Sequence, residues 1–169
     1  MLKRLVLAAA LPALLNGALA AETAPLPPVE VYMPGTCLAC VDWAAHLRQN
    51  GFSVTLRQTN DMAALKRRFR IPAALQSVPT ARVGGYFIEG HVPADDIKLL
   101  LREKPKARGL AVPGLPMGAP GREATGSDTS CESGCTILES GAVERPARRE
   151  MYNTLLVAPN GSTSIYARH

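Results

Sequence analysis

Two cysteines three residues apart, Cys37 and Cys40, stand at the junction between a strand-like run and a helix-like run, and this junction limits the possible folds most. Val29-Glu30-Val31-Tyr32-Met33 alternates in polarity, as a half-buried strand does, and is closed by Pro34-Gly35. From about residue 38 to residue 50 the period changes: Cys40, Trp43, Ala44 and Leu47 recur at helical spacing as one buried stripe, and Gly51 is the stop signal. A Cys-x-x-Cys placed there puts Cys37 at a helix N-terminus, beside unpaired N–H groups and the positive end of the dipole, which favours the nucleophilic thiolate. Cys40 lies one turn along, close enough to close a disulfide or to share a metal ion. The pair therefore reads as a redox couple, a soft-metal site or a plain structural disulfide.

The remaining punctuation extends this start into an α/β domain. Residues 52–59 read as a second strand, and Asn60 or Asp61 caps a helix that runs to about residue 69 and ends at Ile71-Pro72. After a turn at residues 73–76, strand-like runs at 80–83 and 86–89 flank Gly84-Gly85, a tight hairpin signal. Pro93 opens a third helix with Asp95 and Asp96 in its first turn and Lys98, Arg102 and Lys104 toward its end, a charge order that suits the helix dipole. The order β-α-β-α-β-β-α matches a thioredoxin-like core. In such a core Val78-Pro79 occupies the place of a cis-proline opposite the cysteines, so Pro79 joins Cys37 and Cys40 as a candidate catalytic residue. Residues 109–149 read as loop, with Gly114, Gly118 and Gly121 alternating with Pro113, Pro116 and Pro120. Residues 151–158 and 163–167 flank Pro159-Asn160-Gly161-Ser162 and read as a C-terminal hairpin.

The first residues bear on where this chemistry takes place. Lys3 and Arg4, the apolar run at 5–15 and Ala18-Leu19-Ala20 have the layout of a secretory signal peptide cleaved before Ala21. The apolar run is too short to span a bilayer and breaks at Asn16-Gly17, so no stable membrane insertion is expected after cleavage. The division expected is a signal peptide at 1–20, a Pro-rich leader at 21–28, the α/β domain at 29–121, a polar insertion at 122–150 and the hairpin at 151–169. Export removes two positive charges from a formal net charge of +5. The basic runs Lys66-Arg67-Arg68 with Arg70, and 145–149, carry no interleaved aromatics and read as solvated faces, which argues against nucleic acid. No phosphate-binding glycine loop, nucleophile–His–Asp spacing or second Cys-x-x-Cys is present, so hydrolase, nucleotide and zinc-site readings fall away and no organic cofactor is expected.

Longer stretches carry a resemblance. Pro34-Gly35-Thr36-Cys37-Leu38-Ala39-Cys40, Trp43, His46-Leu47, Asn50-Gly51-Phe52 and Asp61-Met62-Ala63-Ala64-Leu65-Lys66 are followed by Gly84-Gly85-Tyr86-Phe87-Ile88-Glu89-Gly90-His91-Val92-Pro93-Ala94-Asp95-Asp96-Ile97 and Gly109-Leu110-Ala111-Val112-Pro113-Gly114. Together they resemble the CopG-like family of periplasmic proteins, over residues 29–121 and again in the final hairpin. The resemblance implies a thioredoxin-like fold, a periplasmic location and a role in copper resistance or handling, with cysteines as ligands or redox groups. This chain departs from the family where a Ser-Cys-His-Thr segment is replaced by Ser77-Val78-Pro79-Thr80, and where Leu38-Ala39 stands inside a pair usually written Cys-Gly-Cys-Cys. The ligands carried over are Cys37, Cys40 and His91, with copper, as Cu(I), the implied metal.

Two readings of the remaining groups stay open. His91 suits a soft-metal site or tunes a thiol, and it equally suits a hydrogen-bonded role before the third helix; His46 reads as structural. Cys131 and Cys135 close a local disulfide, exchange with the first pair, or supply extra soft ligands, which Met117 or Met151 could join. The expected function is thus an exported protein that binds or redox-handles copper through Cys37 and Cys40. The alternatives are a thiol-disulfide oxidoreductase, with Cys37 as nucleophile, Cys40 as resolving thiol and Pro79 as cis-proline, and an exported interaction domain with two structural disulfides. The partners expected are copper ions or a periplasmic thiol/disulfide protein.

Overall fold

The structure, a computed structural model, describes residues 25–123 and 149–169. The signal peptide expected at 1–20 and the pair Cys131 and Cys135 lie outside the described residues. Among the described residues the fold is mixed α/β: three helices and a short 3₁₀ turn packed on one seven-stranded sheet. The strands are β1 (Val29–Met33), β2 (Val54–Gln58), β3 (Thr80–Val83), β4 (Tyr86–Glu89), β5 (Gly109–Ala111), β6 (Asn153–Val157) and β7 (Thr163–Arg168). The helices are α1 (Leu38–Gln49), α2 (Met62–Arg68) and α3 (Ala94–Glu103), and the 3₁₀ turn is Ala73–Leu75.

The sheet order is β2-β1-β3-β4-β5-β6-β7. β1 pairs β2 in parallel across α1, while β3 and β4 form the antiparallel hairpin expected at Gly84-Gly85. Side chains alternate across the sheet, as strand geometry requires. Val29, Val31, Ala81, Val83, Ile88 and Leu110 enter one core with Trp43 and Leu47 of α1 and Ile97 and Leu100 of α3. Phe87, Ala111 and Val157 enter a second, smaller core with Ile71, Leu75 and Phe69. Both sheet faces are therefore covered near the centre, and the α1 face holds the larger apolar mass.

The stretch expected to be loop from residue 109 contains β5. Its three residues are fully buried and pair β4 in parallel on one side and β6 antiparallel on the other. Three residues are too short for a period to show, and β5 exists because it has two partners. It also brings the C-terminal hairpin into the same sheet, where Asp96 of α3 fastens it. Asp96 Oδ2 accepts from Thr154 Oγ1 at 2.6 Å and from His169 Nε2 at 2.9 Å.

Candidate functional site

Cys37 is the N-cap of α1. Its Sγ accepts from the Cys40 backbone N–H at 3.3 Å, so the sulfur occupies the place usually held by a capping oxygen. Cys37 and Cys40 form a disulfide with their Cα atoms 5.3 Å apart. Cys37 is partly exposed and flanked by Leu38, which is 77% exposed, whereas Cys40 is fully buried. One sulfur therefore faces a visitor while the other is kept behind it. The stripe expected from the sequence is the one that packs: Cys40, Trp43, Ala44 and Leu47 are the buried residues of α1.

A second segment lies directly on the first turns of α1. Gly121 has φ +78°, and a Cβ there would stand 2.6 Å from the Trp43 nitrogen and 2.9 Å from the Ala39 oxygen, so only glycine allows this approach. The segment is held by His91, whose Nδ1 lies 2.8 Å from the Pro120 carbonyl oxygen. A carbonyl only accepts, so Nδ1 carries the proton and Nε2 presents a lone pair. That Nε2 is buried without a hydrogen-bond partner among the described residues. Burial pushes the His91 pKa below its ordinary value, against the opposing pull of the Pro120 hydrogen bond. Trp43 Nε1 donates to Val92 O at 2.8 Å, tying α1 to the residue beside His91. His46 is also structural: its Nε2 accepts from the Ala94 N–H at 3.2 Å, linking α1 to the start of α3, and burial lowers its pKa.

The Val78–Pro79 bond is cis, and Pro79 is buried. Around it lies a polar network that sequence reasoning missed. Glu89 on β4 is fully buried; its Oε1 accepts from Lys66 Nζ at 2.5 Å and from Ser77 N at 2.6 Å, and its Oε2 accepts from Thr80 Oγ1 at 2.7 Å. Lys66 Nζ also donates to the Ser77 carbonyl, and Pro79 O accepts from Gly90 N at 2.8 Å. Ser77 and Thr80 are thus gripped on either side of Val78-Pro79. Burial raises the Glu89 pKa, and the hydrogen bonds from Lys66, Ser77 and Thr80 oppose the rise. Lys66 does not belong to the solvated face assigned to Lys66-Arg67-Arg68: it is 6% exposed because α2 turns it inward toward Glu89, while Arg67 and Arg68 are exposed. The available signal was Glu89 itself, a charge on the same face of β4 as Phe87.

Among the described residues no three His, Cys, Asp or Glu side chains gather closely enough to hold one metal ion. With the disulfide closed, His91 and the two sulfurs do not form a ready three-donor cage.

Two solved structures, described as copper resistance protein CopG, form 1 and form 2, match this chain. They share 35% and 36% identity, cover 85% and 86% of it and 98% of their own chains, and each gives a TM-score of 0.69. The chain belongs to the CopG-like copper-resistance family. A family described as "Protein of unknown function, DUF411" matches residues 75–122, which takes in Pro79, Glu89, His91 and Gly121 and leaves out Cys37 and Cys40. No curated protein matches. No helix among the described residues is long and apolar enough to cross a membrane.

Proposed function

We propose that this chain is an exported, periplasmic copper-handling protein whose reduced Cys37 and Cys40 take Cu(I) as cargo. The observation that carries this reading is the placement of the pair, with Cys37 partly exposed at the tip of α1 and Cys40 buried one turn behind it. Two thiolates at that spacing are a donor set preferred by soft Cu(I). Similarity to copper resistance structures supports copper over other soft ions. His91 fits as a third donor in chemistry, since it is neutral and its Nε2 lone pair is buried and unpartnered among the described residues. Cys131 and Cys135 are further soft groups on the same chain. The signal-like residues 1–20 support export.

A second reading, thiol-disulfide exchange, is favoured by the disulfide itself and by the thioredoxin-like order of β1, α1, β2, the hairpin and α3, with Pro79 leading into β3. In the reducing direction the Cys37 thiolate attacks one sulfur of a partner disulfide and releases the other as thiolate. Cys40 then attacks Cys37 Sγ, releasing the partner's second thiol. The partner gains two electrons and the pair closes to a disulfide.

Competition for Cu(I) against a chromophoric chelator tests the first reading, using reduced protein that begins at residue 21. The expectation is one Cu(I) per chain, lost in Cys37→Ser and weakened in His91→Ala. Unchanged stoichiometry and affinity in Cys37→Ser would overturn it.

A further inference from the structure

The basic run ending α2 does more than face solvent. Arg68 from α2, Arg82 from the middle of β3 and Arg108 from the residue before β5 line one cavity of about 260 Å³, together with Phe69, Tyr86 and Phe87. The three arginines are far apart in sequence, and the sheet brings them together. No carboxylate lines the cavity. Glu30, the cross-strand neighbour of Arg82, is already engaged by Arg57 at 2.9 Å and by the Tyr32 hydroxyl at 3.2 Å. Among the described residues, Arg68 and Arg82 have no side-chain acceptor.

Arg108 is the fixed member of the set. Its backbone N donates to Val157 O at 2.7 Å and its carbonyl accepts from Phe87 N at 3.0 Å, so the main chain is held between β4 and β6. Its Nη1 donates to the Arg70 carbonyl at 3.2 Å. Arg70 has φ +54°, a left-handed conformation that costs energy in a residue with a side chain. That turn closes α2, with Ile71 N donating to Lys66 O at 3.0 Å, and it leaves the Arg70 carbonyl free to accept from Arg108.

We propose that this cavity binds a small oxyanion, presented as a phosphate or a carboxylate group. Guanidinium forks match the oxygen geometry of both groups. The volume lies below the range of about 300–1,000 Å³ usual for larger organic ligands, so the ligand is a compact anion. The site sits by the Gly84-Gly85 turn, at the opposite end of β3 from Pro79, and is independent of the copper reading.

The test is a titration of the protein with inorganic phosphate and, separately, with succinate, holding ionic strength constant with chloride. Arginine Nε–Hε signals are followed by NMR. Saturable shifts at Arg82 and Arg108 are expected, and the anion that saturates at lower concentration identifies the group. Arg82→Gln should weaken that binding about tenfold or more, the usual loss for a charge-assisted hydrogen bond, with its other amide signals unmoved. The Cys37→Ser/Cys40→Ser chain should bind as the parent does. Shifts that stay linear and are matched by chloride, or wild-type affinity in Arg82→Gln, would overturn the proposal.

Discussion

Residues 37–47 and residues 77–91 are built on opposite plans. The first segment is local: Cys37 caps the helix it begins, Cys40 follows one turn later, and the buried stripe repeats at helical spacing. Its first sulfur, that of Cys37, is partly exposed. The second segment is held at a distance, by a lysine from α2, a glutamate from β4 and a histidine reaching residue 120. Its buried polar side chains Thr80 and Glu89 are hydrogen-bonded within that network. The difference separates two tasks. The partly exposed sulfur of Cys37 stands at a helix end, and the Val78-Pro79 segment is fixed by buried polar ties from α2 and β4.

The largest expected effect comes from breaking the buried pair. Glu89→Ala leaves the Lys66 ammonium buried without its partner, and the cost should be about 3–5 kcal/mol in chemical denaturation. Glu89→Leu combined with Lys66→Met should recover part of that stability, because it removes the unpaired ion but leaves Ser77 N and Thr80 Oγ1 without their acceptor. If Glu89→Ala costs no more than a typical surface substitution, the second segment is not held as described.

A smaller effect is expected at the cysteines. Removing the disulfide in Cys37→Ser/Cys40→Ser should cost about 2 kcal/mol, because the loop it closes is short and little unfolded-state entropy is at stake. Thermal or denaturant unfolding of the double variant measures this directly. A loss exceeding that of Glu89→Ala would reverse the comparison and make the pair the main structural fastener.

The smallest effect is in pH dependence. His91 and His46 have pKa values lowered by burial, so the folded state binds fewer protons there than the unfolded state. Their contribution is complete above the ordinary histidine value, about 6.5, and is lost as pH falls below it. Glu89, raised by burial, acts in the opposite sense: its contribution is present at low pH and is lost as pH rises through its folded value. Comparing the wild type with His91→Gln between pH 7.5 and 5.5 isolates the histidine contribution, and the variant should lose less stability on acidification. Parallel curves would show that His91 is not a buried neutral group.

How far the sequence revealed this follows the same division. β1, α1 and the β3–β4 hairpin could be read because period, caps and turn residues act within a few positions. β5 could not, since Gly109-Leu110-Ala111 has no pattern of its own and is a strand only between β4 and β6. The Cys37–Cys40 pair could be read from spacing alone. Lys66 was hidden in a basic run and Glu89 lies 23 residues beyond it, so their pairing depends on how α2 crosses the sheet. His91 was visible as a candidate, but its partner Pro120 was not, because nothing local links a histidine to a carbonyl 29 residues away.

The proposed function requires that the opened Cys37–Cys40 pair take copper. The most direct measurement is a Cu(I) titration of one protein, carrying Cys131→Ser and Cys135→Ser, before and after reduction of Cys37–Cys40. Tight binding of one Cu(I) per chain is expected only in the reduced form. Equal binding in the oxidised and reduced forms would contradict it and place the copper on other donors.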